Sequence, residues 1–215
     1  MAAGLNRTTW DLTYAGPKTF PGMVLWGATT SGPAAAPGNY QVKLTVDGQT
    51  FTQPLVVRRH PLRDATDADL KEQFDLAVQI RDKVSDANNA VILIRNVKEQ
   101  VKERLNKSTD SRLADAAGKL TSDLSSVEEA IYQVRNQSNQ DPLNFPIKIN
   151  NRLASLLRVV NAGDGKPIAN AYPIFKDLSA ELKVQTDKLG QILGRDLASL
   201  NAQLRRLGLD QINDK

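Results

Sequence analysis

The chain has 215 residues, of which 40% are hydrophobic and 24% are charged, as expected for an ordinary globular protein with a substantial core. It contains no cysteine, which excludes disulfides and thiolate metal sites. The net charge of +4 is unevenly spread: residues 1–65 hold six Lys/Arg against three Asp/Glu, and residues 66–215 hold 22 against 21. Because a nucleic-acid binder gathers its excess of cations on one face, no nucleic-acid partner is expected. No stretch approaches the roughly 18 apolar residues of a membrane span.

The first 60 residues favour β-strands, because glycine and proline separate short runs of β-branched and aromatic residues. Asp47-Gly48 is a strong signal for a two-residue hairpin turn, in which both residues take a positive φ. Pro54 restricts the second strand of this hairpin to a sheet edge or a bulge. The predicted strands are Asn6–Tyr14, Met23–Trp26, Asn39–Val46 and Gln49–Arg58.

Strands of this kind predict a partial immunoglobulin-like β-sandwich over residues 1–62. Four strands are too few to close two packed sheets, and the first predicted strand begins close to residue 1. We therefore expect the opening strands of this domain to be missing from the chain.

Amphipathic helices are predicted from Thr66 onward, where a hydroxyl that can cap a helix precedes acidic residues. Apolar residues then recur every seven positions from Leu70, which predicts a helix about 60 Å long. The next segment carries aliphatic residues in an unbroken alternation of four and three positions. The four helices are expected from Thr66 to about Asn106, from Asp110 to Val134, from about Pro146 to Gly163 and from about Ala169 to Gly208.

Short connections between such helices favour an antiparallel bundle over residues 66–212, with long first and fourth helices and shorter second and third ones. The predicted fold is therefore of the α+β class with segregated modules. It consists of a partial immunoglobulin-like β-sandwich followed by an antiparallel four-helix bundle with two long helices.

No group of residues points to catalysis or to a bound cofactor or metal. His60 is the only histidine, and as a general base it would need an orienting acid and a nucleophile, so we interpret it as a linker residue. One histidine without cysteine cannot supply the usual ligands of a zinc site. Gly163–Pro167 lacks the Ser/Thr that follows the lysine of a phosphate-binding loop, and we interpret it as a helix connector. Acids on a helix face are commonly solvated or ion-paired, so pairs of them do not predict a glycosidase. The nearest such pairs are Asp75 with Asp82 and Glu128 with Glu129.

Trp10 and Trp26 are candidate ligand-binding residues, because an indole ring can stack on a sugar. In a chain with 5% aromatic residues the favoured interpretation is that both anchor a core, since an indole buries a large apolar area.

Two pairs of asparagines lie beside the apolar stripes of the first and third helices. Buried asparagines can fix the register of a bundle through mutual hydrogen bonds, at a cost in stability. The sequence leaves open whether these side chains form a buried polar network, lie on the surface or line a ligand pocket. They are Asn88, Asn89, Asn150 and Asn151.

The first part of the chain resembles an immunoglobulin-like domain related to the flagellar hook-capping type. The matching segments are GLNRTTWDL (Gly4–Leu12), PGM (Pro21–Met23) and PGNY (Pro37–Tyr40). Nearly the whole chain is similar to the C-terminal region of large bacterial proteins with sortilin-like β-propeller repeats (BNR repeats), often labelled glycosyl hydrolases. The later segments that carry this resemblance are Gln79–Val84, Asn88–Val91 and Pro146–Leu153.

The resemblance implies a non-catalytic accessory, assembly or interaction module of an exported protein, located in the periplasm or outside the cell. The sequence departs from the family in having no propeller blade and no Asp-box of the form S-x-D-x-G-x-x-W. A hydrolase label therefore belongs to the propeller, which is the expected partner, and self-association is a further expectation. The alternatives are a carbohydrate or cell-surface binding module and a part of a glycoside hydrolase.

Overall fold

Helices form most of the ordered structure in a computed structural model that describes residues 4–214. Two strands, β1 (Gly38–Val46) and β2 (Gln49–Val57), precede five helical segments. A 3-10 turn (Asp141–Leu143) precedes the third helix, and a π-helical turn (Leu193–Leu197) joins the last two. The helices are α1 (Asp67–Leu105), α2 (Ser111–Ile131), α3 (Ile149–Asn161), α4 (Ala171–Ile192) and α5 (Ala198–Arg206).

The start of α1 follows from its capping box. The Thr66 hydroxyl accepts a hydrogen bond from the backbone N–H of Asp69 at 3.1 Å. The Asp69 carboxylate accepts one from the backbone N–H of Thr66 at 2.9 Å. Two N–H groups that a helix N-terminus leaves unpaired are thereby satisfied, and two acids lie in the turn where the helix dipole favours them.

The helical part of the sequence prediction is partly consistent with the structure, since the predicted fourth helix is divided by the π-helical turn and α2 ends at Ile131. The long α1 packs against α2 and α3, and α4 packs against the same two helices from the other side. The heptad-spaced aliphatic side chains form one core, and the π-helical turn connects α4 to α5. The largest fully buried side chains are Ile80, Ile94, Leu113, Leu120, Leu124, Ile131, Ile149, Leu153, Leu157, Leu178, Leu200 and Leu204.

The predicted immunoglobulin-like β-sandwich over residues 1–62 is wrong. Within residues 4–214 the only sheet is the antiparallel hairpin of β1 and β2. Its turn is the expected one, since Asp47 and Gly48 have φ values of 50° and 79°. The other two predicted strands, Asn6–Tyr14 and Met23–Trp26, join no sheet, and a single bridge pairs Thr13 with Ala34.

The reason for the error is that residues 15–32, here called the N-terminal loop, pair with the helices instead of with strands. The loop is closed at its base by two backbone hydrogen bonds: Tyr14 N–H to the Pro33 carbonyl at 2.8 Å, and Ala35 N–H to the Leu12 carbonyl at 2.7 Å. At its far side Phe20 is only 7% exposed and belongs to the helical core. Met23–Trp26 was predicted as a strand, but its Val24 and Trp26 N–H groups bind side chains of the bundle instead.

A helix can cross a bilayer only if it is both long and apolar enough. Among residues 4–214, no helix combines the length and the apolar character that a membrane span needs.

Candidate functional site

The asparagine pairs of α1 and α3 lie in different environments. Asn88, Asn150 and Asn151 are 0%, 1% and 3% exposed, whereas Asn89 is exposed. Nδ2 of Asn150 donates to Oδ1 of Asn88 at 3.2 Å. Three of the four asparagines therefore lie in a buried polar cluster between the helices, and Asn89 lies outside it.

This cluster holds the backbone of the N-terminal loop. Nδ2 of Asn88 donates to the Lys18 carbonyl at 2.6 Å. Asn151 makes two hydrogen bonds with Trp26: its Oδ1 accepts from the backbone N–H at 2.7 Å, and its Nδ2 donates to the carbonyl at 2.8 Å. A side-chain amide used in this way replaces the pairing that a neighbouring strand would give.

An aromatic and ionic contact lies beside the asparagines. Phe20 meets Tyr132 edge to face, with ring centroids 5.0 Å apart, and the Arg95 guanidinium lies 4.7 Å from the Phe20 ring centre. Glu128, which is only 4% exposed, accepts from Arg95 at 2.7 Å and from Lys98 at 3.1 Å. Sequence reasoning placed Glu128 in an acid pair but missed both of its cations, which come from α1 across the helix interface.

The hairpin presents the second candidate surface, because its two faces differ in character. Residues directly opposite each other in β1 and β2 share a face, so the register gathers the apolar residues on one side. Val42, Leu44 and Phe51 are 52%, 48% and 55% exposed, so about half of each residue's surface is open to solvent. This side also carries Gly38, Gln49 and Gln53, and Val56 lies on the opposite side. Its apolar residues, here called the hairpin face, are Tyr40, Val42, Leu44, Val46, Phe51, Leu55 and Val57.

The two tryptophans are partly exposed and are not core anchors. Trp10 is 42% exposed, its ring lies 5.9 Å from that of Tyr40, and its indole N–H donates to the Thr13 carbonyl at 2.7 Å. Together with Tyr14 it lines a groove of about 430 Å³ that continues onto the hairpin face. Trp26 is 40% exposed, since Asn151 binds its backbone and leaves the indole at the surface.

The connector Gly163–Pro167 contributes ion pairs to the start of α1. Lys166 lies 3.2 Å from a carboxylate oxygen of Glu72, and the Tyr172 hydroxyl donates a short hydrogen bond to the same carboxylate. The hydrogen bond from Tyr172 and then the Lys166 ammonium hold the pKa of Glu72 below its usual value. The same hydrogen bond raises the pKa of Tyr172 to about 12.

The remaining candidates do not converge on a reactive centre. Asp75 pairs with Lys71 at 2.7 Å and Asp82 with Arg81 at 2.7 Å, so these acids are ion-paired on the surface of α1. His60 lies in a cleft of about 280 Å³ between the hairpin base and the bundle, where its Nδ1 accepts from the Leu62 N–H at 3.2 Å. In the part of the chain that the structure describes, no three metal-ligating side chains come together.

Comparison of the chain with protein-family models, with curated proteins and with solved structures finds no match. The structural features themselves therefore define the protein: a helical bundle with an amphipathic hairpin and a loop bound by buried side-chain amides.

Proposed function

We propose that the chain is a non-catalytic accessory module of an exported β-propeller protein and that its hairpin face docks on the propeller. The exposure of Val42, Leu44 and Phe51 is the observation that carries this proposal. A two-stranded hairpin is at best marginally stable in water, and an apolar face against another protein surface stabilises it.

The size of the hairpin face favours a tethered partner. Two nine-residue strands offer a face of about 300 Å², from a rise of roughly 3.3 Å per residue and a width of about 10 Å. A stable complex between separate proteins buries about 800 Å² on each partner. An interface of this size is sufficient when the two surfaces belong to one polypeptide, because tethering raises their effective concentration.

Site-specific photo-crosslinking in the producing cell tests the proposal. A crosslinking amino acid replaces Leu44 or Phe51 on the hairpin face, and the matched controls carry it at Lys43 or Thr52, a facing pair on the opposite side. We expect adducts with propeller peptides from Leu44 and Phe51 only. Equal yields from both faces, or adducts that contain no propeller peptide, would show that the hairpin does not dock there.

Carbohydrate or cell-surface binding is a second candidate function, favoured by the exposure of both indole rings. Trp10 and Tyr40 offer aromatic surface in a groove of about 430 Å³, and sugars commonly pack on such rings. Glycan-array binding by the chain tests this function, with Trp10→Ala and Trp26→Ala as variants. Unchanged binding in both variants would remove the tryptophans as the site.

A further inference from the structure

The N-terminal loop is bound to the helices mainly through its backbone. Its carbonyl and N–H groups contact side chains of α1, α3 and the residue that ends α2. Asn88 binds the Lys18 carbonyl, and the Ser85 hydroxyl accepts from the Lys18 N–H at 3.0 Å. The Tyr132 hydroxyl accepts from the Val24 N–H at 3.1 Å and donates to the Gly22 carbonyl at 3.3 Å. Contacts of this kind recognise an extended chain with little regard for its side chains.

Phe20 is the one buried aromatic side chain of the loop, and the partly buried Met23, Leu25 and Ala28 pack against the same core. Phe20 is buried against Tyr132 and beneath Arg95, whereas the neighbouring Thr19 and Pro21 are exposed. Arg95 is in turn held in position by the buried Glu128. This combination of an aromatic pocket and flanking backbone contacts is the pattern by which grooves bind extended peptides.

The polar side chains beneath the loop are costly for a bundle that serves stability alone. Replacing buried polar groups with apolar ones of similar volume is often neutral or stabilising. Here Asn88 and Asn151 bind the backbone of the loop, and Asn150 binds Asn88. Oδ1 of Asn150 is buried without a hydrogen-bond partner in the described chain. The cluster therefore has capacity for at least one further donor.

The loop is attached so that it can leave the helices as a unit. Gly16 and Gly32 bring its two ends into backbone contact, because a Cβ at either position would overlap a carbonyl of the opposite arm. The hydrogen bond from the Tyr14 N–H to the Pro33 carbonyl closes the base of the loop without involving the helices. Opening of the loop alone breaks fewer contacts than global unfolding does, so it requires a smaller free energy.

From these contacts we propose that the bundle surface formed by Ser85, Asn88, Arg95, Tyr132 and Asn151 is a peptide-recognition groove, which the N-terminal loop fills within the same chain. The partner that it fits is an extended segment of another polypeptide with one aromatic anchor. Backbone carbonyls two residues before and two residues after the anchor bind Asn88 and Tyr132, and the residue six positions after it binds Asn151.

A synthetic peptide of residues 16–32 tests the groove in trans. The receptor is a chain in which a short glycine linker replaces residues 17–31, and circular dichroism checks that it is folded. We expect fluorescence anisotropy to show saturable binding, at least about 10-fold weaker for the peptide with Phe20→Ala, since a buried aromatic anchor is lost. We also expect the unmodified chain to bind the peptide more weakly than the loopless receptor, because the peptide must displace the resident loop. A folded receptor that binds neither peptide would overturn the proposal.

The residues of the groove are tested separately. Asn151→Ala in the receptor removes two backbone contacts, and we expect affinity to fall about 10-fold or more. Asn89→Ala is the matched control, because Asn89 is an exposed asparagine of the same bundle, and its affinity should be unchanged. Equal losses in the two variants would contradict the assigned contacts.

Hydrogen exchange on the unmodified chain decides the question if the loopless receptor does not fold. We expect the amide of Trp26 to exchange faster than amides at the centre of α1, and to exchange faster still when an excess of the peptide is added. Exchange of Trp26 only at the rate of global unfolding, with no effect of the peptide, would show that the loop is a permanent part of the core.

Discussion

Asn150 of α3 donates a hydrogen bond to Asn88 of α1 at 3.2 Å, and Asn88 donates in turn to the Lys18 carbonyl at 2.6 Å. A continuous series of side-chain amide hydrogen bonds thus links α3, α1 and the N-terminal loop. Because both asparagines are at most 1% exposed, water does not compete for these groups. The register of α1 against α3 and the position of the loop are consequently coupled.

Double-mutant analysis measures this coupling. We expect Asn150→Ala to lower the free energy of unfolding by about 1–3 kcal/mol, because a buried acceptor on Asn88 loses its donor. Asn88→Ala should cost a similar amount, and the two losses should add to more than the loss in the double variant. Urea unfolding followed by circular dichroism gives the four values. Strict additivity would mean that the two side chains do not interact in solution.

The hydrophobic core gives a second expectation. Leu153→Ala removes a fully buried side chain of α3 and should lower the free energy of unfolding by about 2–5 kcal/mol. Leu62→Ala is the matched control, because Leu62 is 86% exposed in the linker before α1, and a change of no more than about 0.5 kcal/mol is expected. Similar losses for both variants would contradict the assigned core.

The helices could be predicted from the sequence because their signal is local. A stripe such as Leu113, Leu120 and Leu124 on α2 specifies both a helix and the side that it buries. The hairpin could also be predicted from the sequence, because Asp47-Gly48 is a local turn signal. Neither feature depends on a distant part of the chain.

The β-sandwich was predicted wrongly because the sequence of an extended segment does not show which part of the chain its backbone will hydrogen-bond to. Met23–Trp26 has the composition of a strand, but its backbone groups bind Tyr132 and Asn151, more than 100 residues away. Burial of the asparagines was one of the open alternatives, and Asn89 falls on the exposed side of a helix turn that buries Asn88. The ion pairs of Arg95 and Lys98 with Glu128 could not be predicted, because no neighbouring residue in α1 indicates that these cations bind a carboxylate of α2.

Self-association through the hairpin face is a third expectation. Its exposed apolar side chains and its two unpaired strand edges favour contacts between copies at high concentration. Light scattering over a concentration series should show an increase in mean mass for the chain, and Leu44→Thr with Phe51→Thr should abolish it. Lys43→Thr, on the opposite face, serves as the control and should behave like the unmodified chain. A monomer at all concentrations would remove self-association as a property of this face.

The capping box of α1 makes part of the stability depend on pH. Hydrogen bonds from the hydroxyl and then the backbone N–H of Thr66 hold the pKa of Asp69 below its ordinary value. Because the pKa is lower in the folded state, this contribution is fully present above the unfolded pKa near 3.9 and is lost as the pH falls through the folded value. Asp69→Ala should therefore destabilise the chain at pH 7 and destabilise it less as the pH falls below about 4, measured by urea unfolding. Asp64→Ala is the control, because Asp64 lies before the helix, and it should leave the free energy of unfolding unchanged throughout this pH range.

The last expectation compares two glycines, one without space for a Cβ and one with open space at that position. Gly32 lies at the base of the N-terminal loop, where a Cβ would overlap the carbonyl of Tyr14, so Gly32→Ala forces the two arms apart. We expect it to lower the free energy of unfolding by about 1–3 kcal/mol. Gly118 lies on the exposed side of α2 with no atom near its Cβ position, so Gly118→Ala should stabilise the chain by about 1 kcal/mol through helix propensity. Thermal unfolding of the two variants should shift the midpoint in opposite directions. A Gly32→Ala variant as stable as the parent would show that the arms of the loop do not meet as closely as the structure places them.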